Sequence, residues 1–187
     1  MANHLTEVRN YFFGVVGDTG ISQPSAIFRA LVPRDDRVWV EVDITFQIPS
    51  GPVRIRQVGF FRFNANNQIV SFDLTMPNYG AANLALGVDP QNPFVVEALA
   101  DAVCQQHNTY CASSPQSQYV DINDCRSFLQ NRPAGTFDRV NSDSIVCRFF
   151  HAGLTPFTPN SECPNLGMSG GSECQNFPYD GYFTPIF

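Results

Sequence analysis

The sequence contains no lysine; all 11 of its Lys/Arg positions are arginine. A Schiff-base enzyme and a lysine-bearing phosphate loop are thereby excluded. Charged residues are sparse, at 15%, and the formal net charge is -6. That balance argues against a phosphate backbone as partner, so no nucleic acid is expected. No run of about 18 apolar residues occurs, so no membrane span is expected either. The opening Met1-Ala-Asn-His-Leu-Thr-Glu lacks the basic and apolar regions of a signal peptide, and no Asn-x-Ser/Thr acceptor is present. Cysteine is absent before Cys104, and all six cysteines fall between Cys104 and Cys174. Six cysteines suggest an oxidising compartment whereas the N-terminus does not. A secretory or extracellular location is expected if they are paired, and a cytoplasmic one otherwise.

What is present divides into two regimes joined near Pro93. Apolar residues make up 43% of the 187-residue chain, with 17 phenylalanines, which is enough for a sizeable core. Residues 1–93 read as an α+β core that buries its own apolar surface. Residues 94–187, rich in proline and cysteine, read as a helical and loop extension that needs crosslinks.

Val8, Phe12, Val15 and Val16 recur at helical spacing and predict a helix over residues 5–17. Ser25 to Leu31, between Pro24 and Pro33, is expected to form a second short helix or turn. From Arg37 to Ile48 the pattern alternates strictly. Val38, Val40, Val42, Ile44 and Phe46 line one face of a strand, and Trp39, Glu41, Asp43, Thr45 and Gln47 the other. Val53–Phe63 and Ile69–Met76 follow as strands, giving an antiparallel meander. Pro77 to Pro93 shows no period. Helices are expected over Phe94–Gln106 and over Ile122–Gln130 with Asp121 or Asn123 as cap, and Ser142–Leu154 reads as a third helix with Val146 to Phe150 equally suited to an extended segment. Beyond Pro156 the chain reads as mostly loop.

Cys104, His107 and Cys111 share a helix face, and Cys147 with His151 forms an i, i+4 pair, a spacing that suits zinc. Against this, no Cys-x-x-Cys occurs and the gaps are irregular, so three disulfides are favoured and no metal is assigned; fifteen pairings remain open. Gly167-Met-Ser169-Gly-Gly171 matches the text of a nucleophile elbow. Without a downstream histidine it reads as a glycine loop. His4 falls at the terminus, His107 reads as a packed or surface residue, and His151, after Phe149-Phe150, is a candidate acid or base.

The polar strand faces carry the remaining chemistry. Glu41 and Asp43 share one face, Arg54 and Arg56 another, and Asp73 lies on the third strand. If those faces coincide, carboxylates flank guanidiniums in an arrangement able to polarise water. The alternative is a solvated face with cross-strand ion pairs. Trp39, Gln57, Tyr79 and Tyr179 would wall a pocket, and the closing aromatics from Phe177 to Phe187 would tuck onto the sheet or roof that pocket.

The stretch Tyr11 to Met76, with its Trp39-Val-Glu-Val-Asp-Ile-Thr-Phe strand and its Val58-to-Asp73 hairpin, resembles the NTF2-like, or SnoaL-like, cone fold. The second half resembles a cysteine-containing extension of fungal members associated with polyketide gene clusters. The resemblance implies a curved antiparallel sheet and N-terminal helices around a hollow lined by inward-facing acids. It also implies cofactor-independent epoxide opening or cyclisation of a small apolar, oxygenated substrate, and a homodimer paired through the outer sheet face. By position, Asp43, Arg56 and Asp73 would take the epoxide-hydrolase roles, with Glu41 in reserve; a cyclase needs one acid/base, for which Asp43, Asp73 or His151 suffices. The alternative is a secreted, disulfide-stabilised ligand-binding or interaction module without catalysis.

Overall fold

A computed structural model of the chain describes residues 22–48 and 51–177. The expected helix over 5–17, His4 and Tyr179 lie outside the described residues, as do the other aromatics beyond Phe177. The fold is α+β, and the described chain divides into two compact units between Val88 and Asp89.

The first unit is a four-stranded antiparallel sheet in the order β1 (Ser22–Arg34), β2 (Arg37–Ile48), β3 (Gly51–Phe63) and β4 (Ile69–Thr75). The alternating text of β2 and β3 builds the centre, where Val40 and Val42 are buried. Ser25–Leu31 was expected to be a helix or turn, and the structure corrects this: the segment is part of β1. Seven residues give too few helical turns to stand alone, whereas the open edge of β2 offers ladder hydrogen bonds along its whole length. Pro24 and Pro33 are tolerated because, among the described residues, β1 is an edge strand. Asp35, at φ 53°, closes the tight turn into β2. The β3–β4 hairpin is held by Asn64, whose Oδ1 accepts from the backbone N–H of Asn66 (2.9 Å) and Gln68 (3.0 Å). The connector without visible period contains a short helix, α1 (Tyr79–Ala85), packed on β3.

The second unit contains α2 (Pro93–Tyr110), α3 (Ile122–Leu129), α4 (Ile145–Ala152) and α5 (Pro159–Leu166). Each starts where its chemistry dictates. Asn92 caps α2 ahead of Pro93, Asp121 accepts from the N–H of Asn123 (2.7 Å) and Asp124 (2.9 Å), and Ser144 accepts from Cys147 N–H (3.2 Å). Helix α5 is an element that the expectation of mostly loop beyond Pro156 did not place. Pro159 sits in its first turn, where no intrahelical donor is needed.

The six cysteines pair as Cys104–Cys125, Cys111–Cys163 and Cys147–Cys174. All are at most 1% exposed and form the core together with Val103, Leu129, Ile145, Val146 and Leu166. The bridges are consistent with an oxidising secretory or extracellular environment. No described helix is long and apolar enough to cross a membrane.

Gly170 makes the last bridge reachable. At φ 71° its carbonyl accepts from Cys174 N–H (2.7 Å), and a Cβ at this position would lie 1.9 Å from the Cys174 carbonyl oxygen. Gly170→Ala is therefore expected to destabilise the chain by at least about 1–3 kcal/mol. Gly153→Ala, where the nearest atom to an added Cβ is 3.4 Å away, serves as a near-neutral control. Urea unfolding followed by circular dichroism of both variants checks this.

Candidate functional site

Two charged clusters stand out, one in each unit. In the sheet, Asp43 pairs across the ladder with Arg56. Arg56 donates to Asp43 through Nε (2.7 Å to Oδ1) and Nη2 (3.1 Å to Oδ2), while its Nη1 lies 2.8 Å from Glu41 Oε1. A second guanidinium comes from β1, where the register shifts between Phe28 and Ala30 and leaves Arg29 as an extra, bulged residue. A bulge re-aims its side chain, and Arg29 Nε donates to Asp43 Oδ2 at 2.8 Å. Asp43 is only 3% exposed. The hydrogen bonds from Arg56 and then Arg29 hold its carboxyl well below the usual carboxylate range, and outweigh burial, which acts the other way. An ionised carboxylate saturated by two guanidiniums has no proton to give. This cluster is a cross-strand clamp.

The other residues of the expected sheet site are distributed differently. Asp73 is exposed and pairs with Phe60, which in turn faces Trp39. That row lies four residues along β2 from Asp43, about 13 Å at the rise of a strand, so Asp73 stays out of the cluster. Trp39 shares Asp43's face and is 46% exposed, whereas Gln57 pairs with Val42 and faces the other way. Tyr79 opens α1, and burial pushes its hydroxyl pKa up. Two clefts of about 610 and 510 Å³ lie at the hairpin ends, around Asp36, Arg37 and Arg62 and around Trp39 and Phe60. Neither is lined by Asp43, Arg56 or Asp73.

The second cluster sits in the helical unit. His151 Nδ1 lies 2.6 Å from Glu162 Oε2, and Asn165 Nδ2 donates to the same oxygen at 3.3 Å and to the Ser161 carbonyl at 3.4 Å. The side chains of His151 and Glu162 are 11% and 14% exposed. With Nδ1–H donating to the carboxylate, Nε2 becomes the basic nitrogen of the neutral ring. His151 follows Cys147 by one helical turn, and Glu162 precedes Cys163, so two bridges fix both partners. Sequence reading named His151 but missed Glu162, Asn165 and Arg29. The one available signal was that Glu162 adjoins a cysteine, and it locates nothing until the pairing is known.

Beside this pair, the sulfurs of Cys147 and Cys174 and a ring nitrogen of His151 lie within 4.8 Å of one another. His107, the third member of the helix face read as metal-like, is instead buried with its ring edge-on to Tyr119 at 4.8 Å, and burial lowers its pKa. Tyr119, its hydroxyl pKa pushed up to about 12 by burial, donates to the Leu166 carbonyl at 3.0 Å. Ser169 is bound to Gln118 in both directions, Nε2 to Oγ at 2.9 Å and Ser169 N–H to Oε1 at 2.7 Å. The glycine-flanked serine is thus a pinned loop residue.

Fold and site together define a disulfide-braced α+β protein with a histidine–carboxylate pair in its helical unit. The chain belongs to the BfoA family, whose C-terminal domain matches residues 72–177. It is 27% identical over 123 residues to the Bifonsecin B biosynthesis cluster protein A of Aspergillus brasiliensis, covering 60% of this chain and 41% of that one. It is 25% identical over 123 residues to the Aurasperone B biosynthesis cluster protein A of Aspergillus niger, covering 60% and 40%. The chain thus spans about two fifths of the length of the curated relatives it matches. No solved structure matches it.

The clamp has a pH signature. Asp43's folded pKa is depressed, so its stabilisation is fully present above the unfolded value near 3.9 and is lost as pH falls toward the folded value. Asp43→Asn is expected to lower the denaturant midpoint at neutral pH and to flatten its fall between about pH 4 and pH 2. The fluorescence of Trp39, the single tryptophan, reports this transition from within β2.

Proposed function

We propose that this chain is part of a fungal natural-product biosynthesis protein, and that its His151–Glu162 pair transfers protons on an apolar, oxygenated, polyketide-type substrate. The observation that carries the reading is the 2.6 Å contact between His151 Nδ1 and Glu162 Oε2. A carboxylate in this position sets the tautomer, orients the ring and stabilises the imidazolium formed when Nε2 takes a proton. Nε2 would remove a proton from an acidic C–H or O–H group and return it to a departing or newly opened oxygen. That cycle serves cyclisation or epoxide opening without a cofactor. Asn165 Nδ2 donates to the same carboxylate oxygen and lies 3.3 Å from His151 Nδ1, bracing the pair from beside the contact.

The span of the family match supports placing the chemistry here. Residues 72–177 include His151, Glu162, Asn165 and all six cysteines, but neither Asp43 nor Arg56. The relatives' names, each a biosynthesis cluster protein, support the setting. The NTF2-like cone is part of the proposal for the sheet unit alone, where β1–β4 supply the meander such a cone needs. A second reading, a non-catalytic binding module, draws on the exposed Phe28, Leu31, Val32 and Trp39 of that sheet.

Turnover of candidate oxygenated intermediates by the purified protein is the test. His151→Ala is expected to cut kcat about 10²–10⁴-fold with the circular dichroism unchanged. Glu162→Gln is expected to cut kcat less and to shift the pH profile. If Asp43→Asn or Asp73→Asn abolishes turnover while His151→Ala does not, the reaction belongs to the sheet and this reading fails.

A further inference from the structure

We propose that Cys147, Cys174 and His151 bind one zinc-type divalent metal ion once the Cys147–Cys174 bridge is reduced. In the bridged protein the two sulfurs and a ring nitrogen of His151 already lie within 4.8 Å of one another, and all three residues are buried. Among the described residues, no other group of three such side chains converges in this way. Zinc holds sulfur at about 2.3 Å and nitrogen at about 2.0–2.1 Å, so its tetrahedral ligand atoms stand roughly 3.5–4 Å apart. The imidazole needs only a small adjustment to meet that spacing, and the sulfurs part once their bond is broken.

The scaffold presents the ligands from two directions. Cys147 and His151 occupy one face of α4, a turn apart, and the Gly170 turn brings Cys174 to them. With the metal on Nε2, Glu162, at 2.6 Å from Nδ1, supplies the acceptor for the other ring N–H that metal-binding histidines almost always have, whether carboxylate, carbonyl or water. Three protein ligands of Cys2His type leave the fourth position for water.

The step balances. A dithiol gives two electrons and two protons to the Cys147–Cys174 bond and closes into its own disulfide, leaving two protein thiols. Metal uptake then releases two protons to solvent as both sulfurs bind as thiolates. The site shares its imidazole with the proton-transfer reading without resting on it, because metal binding is measured without turnover. If both hold, the reduced, metal-loaded chain has no free base at His151.

Cobalt(II) titration of the full chain tests the site, comparing the oxidised protein with protein in which limiting dithiol, then removed by gel filtration under argon, has opened the Cys147–Cys174 bridge alone, the Cys104–Cys125 and Cys111–Cys163 bridges being verified intact by thiol alkylation and peptide mapping. The reduced chain is expected to take up about one ion with a thiolate-to-cobalt charge-transfer band, zinc to displace it, and the oxidised chain to show no such band. Cys147→Ser and His151→Ala should each weaken uptake at least about tenfold, while Cys104→Ser combined with Cys125→Ser retains it. Glu162→Gln keeps every ligand and should weaken binding about 10–100-fold, which preserves the test if a cysteine variant fails to fold. A reduced chain without the band, or uptake unchanged by His151→Ala or Glu162→Gln, overturns the proposal.

Discussion

Helices shorter than about 12 residues are marginal in water unless something else holds them, and α3, α4 and α5 have eight residues each. The three bridges supply that hold. Cys104–Cys125 ties α2 to α3, Cys111–Cys163 ties the end of α2 to α5, and Cys147–Cys174 ties α4 to the segment after Gly170. They close separations of 21, 52 and 27 residues. Chain-entropy arguments make each worth about 3–4 kcal/mol for loops of that size. Helix α2, the one long helix among the described residues of this unit, is the spine on which α3, α4 and α5 pack. Every feature of the helical site inherits its position from this crosslinked frame.

Within that frame lies a buried cation. Arg148 is fully buried, and its guanidinium donates to the carbonyls of Gly167 (3.2 Å) and Ser144 (3.2 Å) and stands 2.8 Å from Asp143 Oδ1. The Phe128 ring lies under it at 5.4 Å. A buried charge is costly unless it is paired and hydrogen-bonded, and here the partners come from the beginning of the glycine-rich turn and from the residues just before α4. Arg148 thereby joins the loop carrying Gly167 to the helix carrying His151. Asp143 also accepts from Arg132 Nη1 at 2.9 Å, which extends the network to the segment after α3.

The strands were legible because one burying face forces alternation, which β2 shows from Val38 to Gln47 and β3 from Val53 to Arg56 before an apolar run of Val58, Phe60 and Phe61 takes over. β1 was not: its Ala26-to-Val32 stretch, broken by Arg29, carries neither period cleanly, and only the neighbouring strand decides its state. Proline misled at α5, where Pro159 starts a helix that composition read as loop. The site was half legible. Asp43 and Arg56 face each other as alternation implied, yet the bulge that brings Arg29 in cannot be read from β1 by itself. His151 was visible as a residue, but its carboxylate partner depends on a disulfide pairing that is one of fifteen.

Two carboxylates in this chain, Asp43 and Glu162, each lie against a nitrogen base, and the difference between those bases decides what each can do. Arginine is charged at every accessible pH, so Asp43 between Arg29 and Arg56 is fixed as an anion and its hydrogen bonds hold strands together. Imidazole, unlike guanidinium, can exist in either charge state, so in the proposed proton transfer Glu162 would face a partner whose charge changes. Coulombic attraction that is permanent in the sheet is conditional in the helical unit, strongest only when His151 has taken a proton. A carboxylate whose attraction grows in the protonated state favours that state differentially, and differential stabilisation is what catalysis requires.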